Sequence, residues 1–147
     1  MAHNLTKIMD SSDRMYFALL AFHPPRLEEV LGLKWADIDI EAGIIRVRRA
    51  VTHPDRNRPE VKDTKTAASV RDIGLSTIAL PQLIPGKPDE FVCGGSNPLS
   101  YTQVRRMNDR IGKQLEFDGA ITPRRFRTTV LTDLYDRTKD IKLAQSA

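Results

Sequence analysis

Cysteine is almost missing from this chain: Cys93 stands alone, which excludes an internal disulfide framework and fits a reducing compartment. Histidine is nearly as scarce, and three scattered copies with one thiol offer no metal-ligand spacing. No metal site is expected. No apolar run approaches the length of a bilayer span, and the N-terminus lacks an apolar signal-peptide core, so no membrane partner is expected. Repeats and low-complexity stretches are missing too. What remains is an ordinary globular composition, 40% hydrophobic over 147 residues, which suits one domain with a modest core.

The net charge of +4 is small, but its distribution is uneven. Residues 1–45 hold four Lys/Arg against seven Asp/Glu. Residues 46–71 hold eight against three, namely Arg46, Arg48, Arg49, Arg56, Arg58, Lys62, Lys65 and Arg71. From 104 onward there are ten against six. An acidic start followed by basic tracts predicts one positive face, the electrostatic footprint of a polyanion binder. Many basic proteins never touch nucleic acid, so the charge acquires meaning only beside the motifs.

Local patterning predicts a mostly helical α+β domain with one small three-stranded antiparallel sheet. The apolar run Met15, Phe17, Ala18, Leu19, Ala21, Phe22 predicts a buried helix from about Asp10 to Phe22, with Ser11, Ser12 and Asp13 as N-cap candidates. His23-Pro24-Pro25 must interrupt it, and Pro25 suits the first turn of a second helix over Arg26 to Leu33. Alternation of Ile38 and Ile40 with Asp37 and Asp39, then of Ile45 and Val47 with Arg46 and Arg48, predicts a β-hairpin over 37–51. Residues 52–66 are polar, basic and proline-containing and read as a mobile loop. Val70 to Leu75 supplies a third strand, and a proline-rich connection runs from Leu80 to Pro88. Ser100 caps a helix from about Tyr101 to Glu116, and Thr122-Pro123 opens another that contains Phe126.

Three islands carry the chemistry. The first runs from Arg26-Leu27-Glu28-Glu29 through Leu33-Lys34-Trp35-Ala36-Asp37-Ile38-Asp39. The second is Lys65-Thr66-Ala67-Ala68-Ser69-Val70-Arg71-Asp72-Ile73, and the third Thr122-Pro123-Arg124-Arg125-Phe126-Arg127-Thr128-Thr129. Metal-free phosphoryl transfer needs fixed cations around the phosphate, and arginine suits this because it is permanently charged and forks onto two oxygens. In this order and spacing the islands resemble the motif boxes of the tyrosine recombinases of phage-integrase type, over nearly the whole chain. The resemblance implies that Arg26 and Arg127 grip the scissile phosphate. It implies that Lys65 protonates the leaving 5′ oxygen, with Lys62 as a nearby competitor, and that Glu29 supports the site or simply pairs with a base. Arg46, Arg48, Arg49, Lys62, Arg71 and Arg125 are the candidate DNA-binding residues.

Two departures from the family pattern are visible. The position three before the second arginine usually holds histidine and here is Arg124, which can stabilise charge but cannot accept a proton near neutral pH. The glycine-containing turn usually found before the first arginine is replaced by His23-Pro24-Pro25, where His23 reads as a helix-end residue. The resemblance also places a further His or Trp and the tyrosine nucleophile beyond Ala147. Tyr16, Tyr101 and Tyr135 all lie at other positions and read as packing or surface residues. Residues 1–147 are accordingly expected to be a catalytic domain lacking its nucleophile segment and the N-terminal core-binding domain, and inactive alone.

The resemblance implies a parent enzyme that cuts and rejoins double-stranded DNA at a specific recombination site through a 3′-phosphotyrosine. It would work without cofactor, as a tetramer on paired sites, in a bacterial or phage-infected cytoplasm near the nucleoid. Two alternatives stand beside it. A non-catalytic DNA-binding relative is favoured by Arg124, and a type IB topoisomerase would share the same cations.

Overall fold

The computed structural model describes residues 5–56, 58–63, 70–117 and 122–128. Its centre is helix α1 (Ser11–Ala21), in which every residue from Met15 to Ala21 is buried. A helix apolar on all sides must be wrapped by the rest of the chain. The cap is Asp10, whose carboxylate accepts the Asp13 N–H at 2.9 Å; the serines proposed from sequence are already helical. Asp13 lies inside the first turn, 2% exposed, and receives a two-pronged bond from Arg110, both prongs at 3.0 Å.

After Phe22 the two prolines turn the chain into the short helix α2 (Leu27–Leu31). It stops at Gly32, where a Cβ would stand 2.7 Å from the backbone oxygen of Arg49, so glycine lets strand and helix touch. A 3-10 turn (Trp35–Asp37) leads into β1 (Ile38–Asp39) and β2 (Ile44–Val47), and β5 (Arg71–Gly74) pairs with β2. The three strands are antiparallel in the order β1-β2-β5, as the alternation predicts.

The predicted mobile loop over 52–66 is, in its described part, a second sheet. β3 (Arg49–Asp55) and β4 (Arg58–Asp63) form a two-stranded ribbon with Val51 opposite Val61. The hairpin predicted over 37–51 therefore ends at Val47, and Arg48 separates it from the ribbon. Pro54 and Pro59 obscured this in the sequence. A two-stranded ribbon tolerates them because half of its N–H groups face outward and need no ladder partner.

Helix α3 (Tyr101–Gln114) begins with a reciprocal cap: Ser100 Oγ accepts the Gln103 N–H, and Gln103 Oε1 accepts the Ser100 N–H. Its apolar side, Val104, Met107 and Ile111, lies in the same core as α1. Residues 123–128 form helix α4, whose fully buried Phe126 packs edge-on against Phe17 at 5.4 Å and beside Phe117 at 5.4 Å. Burial of such a ring stabilises by about 2–3 kcal/mol. It also fixes the third island against the helix that precedes the first.

Candidate active site

The first and third islands meet at the turn between α1 and α2. Phe126 anchors α4 in the core, so Arg127, next in sequence, projects along the surface of α1. Its Nη2 donates to the carbonyl of Pro25 at 2.6 Å and to that of Leu20 at 3.2 Å. Pro25 immediately precedes Arg26, so a contact across 102 residues brings the two arginines to one turn. Burial pulls the Arg127 guanidinium below its ordinary pKa, yet it remains a cation at neutral pH. Arg26 is exposed at the start of α2, with extended backbone.

Glu29 organises the same corner. Its Oε1 accepts the Arg26 N–H at 3.1 Å, and Arg71 forks onto both carboxylate oxygens at 2.8 and 3.2 Å. The Arg71 hydrogen bond, with smaller help from Arg26, holds the Glu29 carboxyl below the usual carboxylate range. Of the two sequence readings of Glu29, the pairing with a base is observed, and its carboxylate also bonds the backbone N–H of Arg26 at the start of α2. Arg71, a candidate DNA contact, links β5 to α2 through this pair. Lys65, six residues before Arg71, lies outside the described residues.

His23 is 2% exposed at the same turn. Its Nδ1–H donates to the Leu19 carbonyl at 3.0 Å, and its Nε2 accepts the Ser76 N–H at 3.0 Å. Burial holds its pKa below the ordinary value, and the Arg127 charge pushes the same way. Sequence reading identified a helix-end residue here but missed the Ser76 contact, which spans 53 residues.

The other candidates scatter. Arg124 is exposed on α4, one turn from Arg127, and its carbonyl accepts the Thr128 hydroxyl. Arg125 stacks over Phe117 with its Cζ 5.0 Å from the ring centre. Arg49 is committed to the fold, bonding the buried Asp37 and the Gly32 carbonyl. Arg46 lines an open groove with Trp35, Asp39 and Ile40, away from the arginine pair's contacts. Arg48 is exposed, and Lys62 is exposed with a loose 4.0 Å contact to Glu60. Tyr16 is buried with its hydroxyl donating to Asn108 at 2.6 Å, and burial raises its pKa, so it is a core residue. Tyr101 packs under the Arg56 guanidinium. Tyr135 lies outside the described residues. No helix among the described residues is long and apolar enough to cross a membrane.

The fold that carries these residues is matched in known proteins. The chain superimposes on the Tn1549 transposon integrase in complex with a circular intermediate DNA, with a TM-score of 0.69 and 19% identity over 98% of this chain and 54% of that one. The XerA recombinase matches with a TM-score of 0.64 and 17% identity, over 99% of this chain and 52% of that one. A Tn1549 integrase complex with transposon right end DNA gives a TM-score of 0.65 at 20% identity, over 98% of this chain and 54% of that one. The chain thus spans about half the length of these solved relatives, and at such identities the likeness is one of fold. No curated protein matches it. The model of the phage integrase family matches residues 1–147, and with the islands and the fold in agreement, the chain belongs to that family, the tyrosine recombinases.

Proposed function

We propose that this chain is the cation-bearing catalytic domain of a site-specific DNA recombinase. The observation that carries the reading is the Arg127 Nη2 to Pro25 carbonyl bond, which brings the third island onto the turn bearing Arg26. The Arg127 guanidinium stands beside the residue that precedes the exposed Arg26, a placement that suits a shared phosphate grip, and the described bonds of Arg127 run through Nη2 alone. In this reading a tyrosine hydroxyl from sequence beyond Ala147 gives its proton to water as its oxygen attacks phosphorus, and the bond from phosphorus to the 5′ oxygen breaks. A 3′-phosphotyrosine forms, Lys65 gives its proton to the departing oxygen, and a 5′ hydroxyl later reverses the step. The ester keeps the bond energy, so the reaction draws on neither nucleotide nor metal. Arg26, Arg127 and Arg124 offset the charge that builds on the phosphate.

Arg46, Arg48, Lys62 and Arg125 serve as phosphate contacts along double-stranded DNA in the same reading, with Arg49 and Arg71 acting through the fold. In the same reading, a core-binding domain and the nucleophile are supplied by other segments of the parent. The parent acts as a tetramer on paired sites in a bacterial or phage-infected cytoplasm. The relatives' complexes with transposon DNA support DNA as the partner.

The test is covalent trapping by the full-length protein on a suicide DNA substrate carrying its recombination site. Arg26→Ala and Lys65→Ala are expected to cut adduct formation by about a hundredfold or more while DNA binding survives. Arg124→His is expected to retain or raise it. A parent that binds DNA but forms no adduct would instead be the non-catalytic relative that Arg124 favours.

A further inference from the structure

Three parts of the chain meet at His23, and the recombination chemistry above leaves it without a role. The ring is 2% exposed and lies between the end of α1 and Arg26, where the family's glycine-containing turn would stand. A carbonyl can only accept and an amide N–H can only donate. The partners Leu19 C=O and Ser76 N–H, each at 3.0 Å, therefore fix a neutral ring with its proton on Nδ1 and its lone pair on Nε2. Ser76 follows β5, the strand that Arg71 ties to Glu29. Across the same turn, Arg127 joins the carbonyls of Leu20 and Pro25, which bracket His23.

We propose that His23 is a positioning residue for the arginine pair: its neutral ring pins the 20–25 turn to Ser76 and so holds Arg26 and Arg127 in register for one phosphate. The inference rests on reading those arginines as the phosphate grip. Protonation would undo the pin, because an imidazolium has no lone pair for the Ser76 N–H and adds a cation beside Arg127. The groups facing the ring are, from α1, the carbonyls of Leu19 and Ala18, and, from the segment after β5, the Ser76 N–H. From α4 it is Arg127, the one charged group found to act on the ring among the described residues. Burial foremost, and Arg127 in addition, keep the ring's pKa below its ordinary 6.5. The pinned state is therefore fully present above the ordinary value and is lost only as the pH falls through the lower value of the buried ring.

The test measures the adduct-forming rate of the full-length protein at saturating suicide DNA from about pH 5 to 8, the range in which histidine titrates. DNA affinity and hydrogen-exchange protection of the Ser76 amide are followed alongside. His23→Gln keeps an acceptor for the Ser76 N–H but cannot titrate. It is expected to hold the neutral-pH rate within about threefold of wild type and to lose the wild type's acid-side fall. His23→Ala is expected to lower the rate roughly a hundredfold, the scale of a misplacement of about 1 Å, with DNA affinity unchanged. An acid inflection in His23→Gln identical to wild type overturns the proposal, as does a wild-type rate in His23→Ala. Should His23→Ala not fold, the glutamine profile decides. If the wild-type protein forms no adduct, the recombinase reading falls on its own. Ser76 protection in wild type and in His23→Ala then judges the pin, and equal protection in the two overturns it.

Discussion

Single residues in this chain do different work from what their type suggests. Arginine is the commonest candidate for touching DNA, yet Arg49 and Arg71 spend their charge on Asp37 and Glu29 inside the fold. The Glu29–Arg71 pair carries a pH signature. Because Arg71 depresses the Glu29 pKa, the pair's stabilisation is fully present above the ordinary carboxylate value of 4.5. It is lost as the pH falls through the lower folded value. Glu29→Gln should therefore flatten the acid limb of stability against pH in that window. It should cost about 1 kcal/mol near neutrality, modest because Arg71 is partly exposed. Denaturant unfolding at a series of pH values checks this, and an unchanged acid limb would remove the pair from the account.

At the scale of elements, the ribbon β3–β4 is the piece that local patterning misread. Its tip is docked rather than loose. The Arg56 carbonyl accepts the Tyr101 N–H at 3.3 Å, its guanidinium lies 5.2 Å over the Tyr101 ring, and His53 Nε2 donates to the Leu99 carbonyl at 2.8 Å. The start of α3 thus holds the far end of the ribbon. An exposed cation–π contact is worth about 0.5–1 kcal/mol, so Tyr101→Ala should loosen the tip without unfolding the domain. Amide exchange is expected to quicken at Thr52, His53, Asp55, Arg56, Arg58, Glu60 and Val61 by several-fold while β1, β2 and β5 keep their protection. Uniform acceleration across both sheets would mean that ribbon and sheet open as one unit.

Across the whole molecule, one aromatic contact links the core to the chemistry. Phe126 sits against Phe17 of α1 and Phe117, and Arg127 follows it in sequence. The residues that would grip a phosphate are thereby built onto the most buried helix, which suits a site that must hold its geometry. Phe126→Ala should cost about 3–5 kcal/mol, a large part of the 5–15 typical of a domain. Phe126→Leu should cost markedly less and leave DNA binding in place. Chemical denaturation of the full-length variants measures both. A near-neutral alanine variant would show that α4 is not anchored by this ring.

By itself, the sequence determined what depends on residue type and short spacing. It contained α1 and its proline stop, the Ser100 cap of α3, the strand alternation around Ile45, and the three islands that place the chain in its family. Those features were legible because each is decided within a turn or two of chain. Only the tertiary structure decided which charges face which. Arg127 reaches Pro25, Arg71 reaches Glu29, Arg110 reaches Asp13 and His23 reaches Ser76 across separations of 42 to 102 residues. Nothing local encodes such partners, because they follow from how a largely buried helix is wrapped and from which polar groups that wrapping leaves to be satisfied.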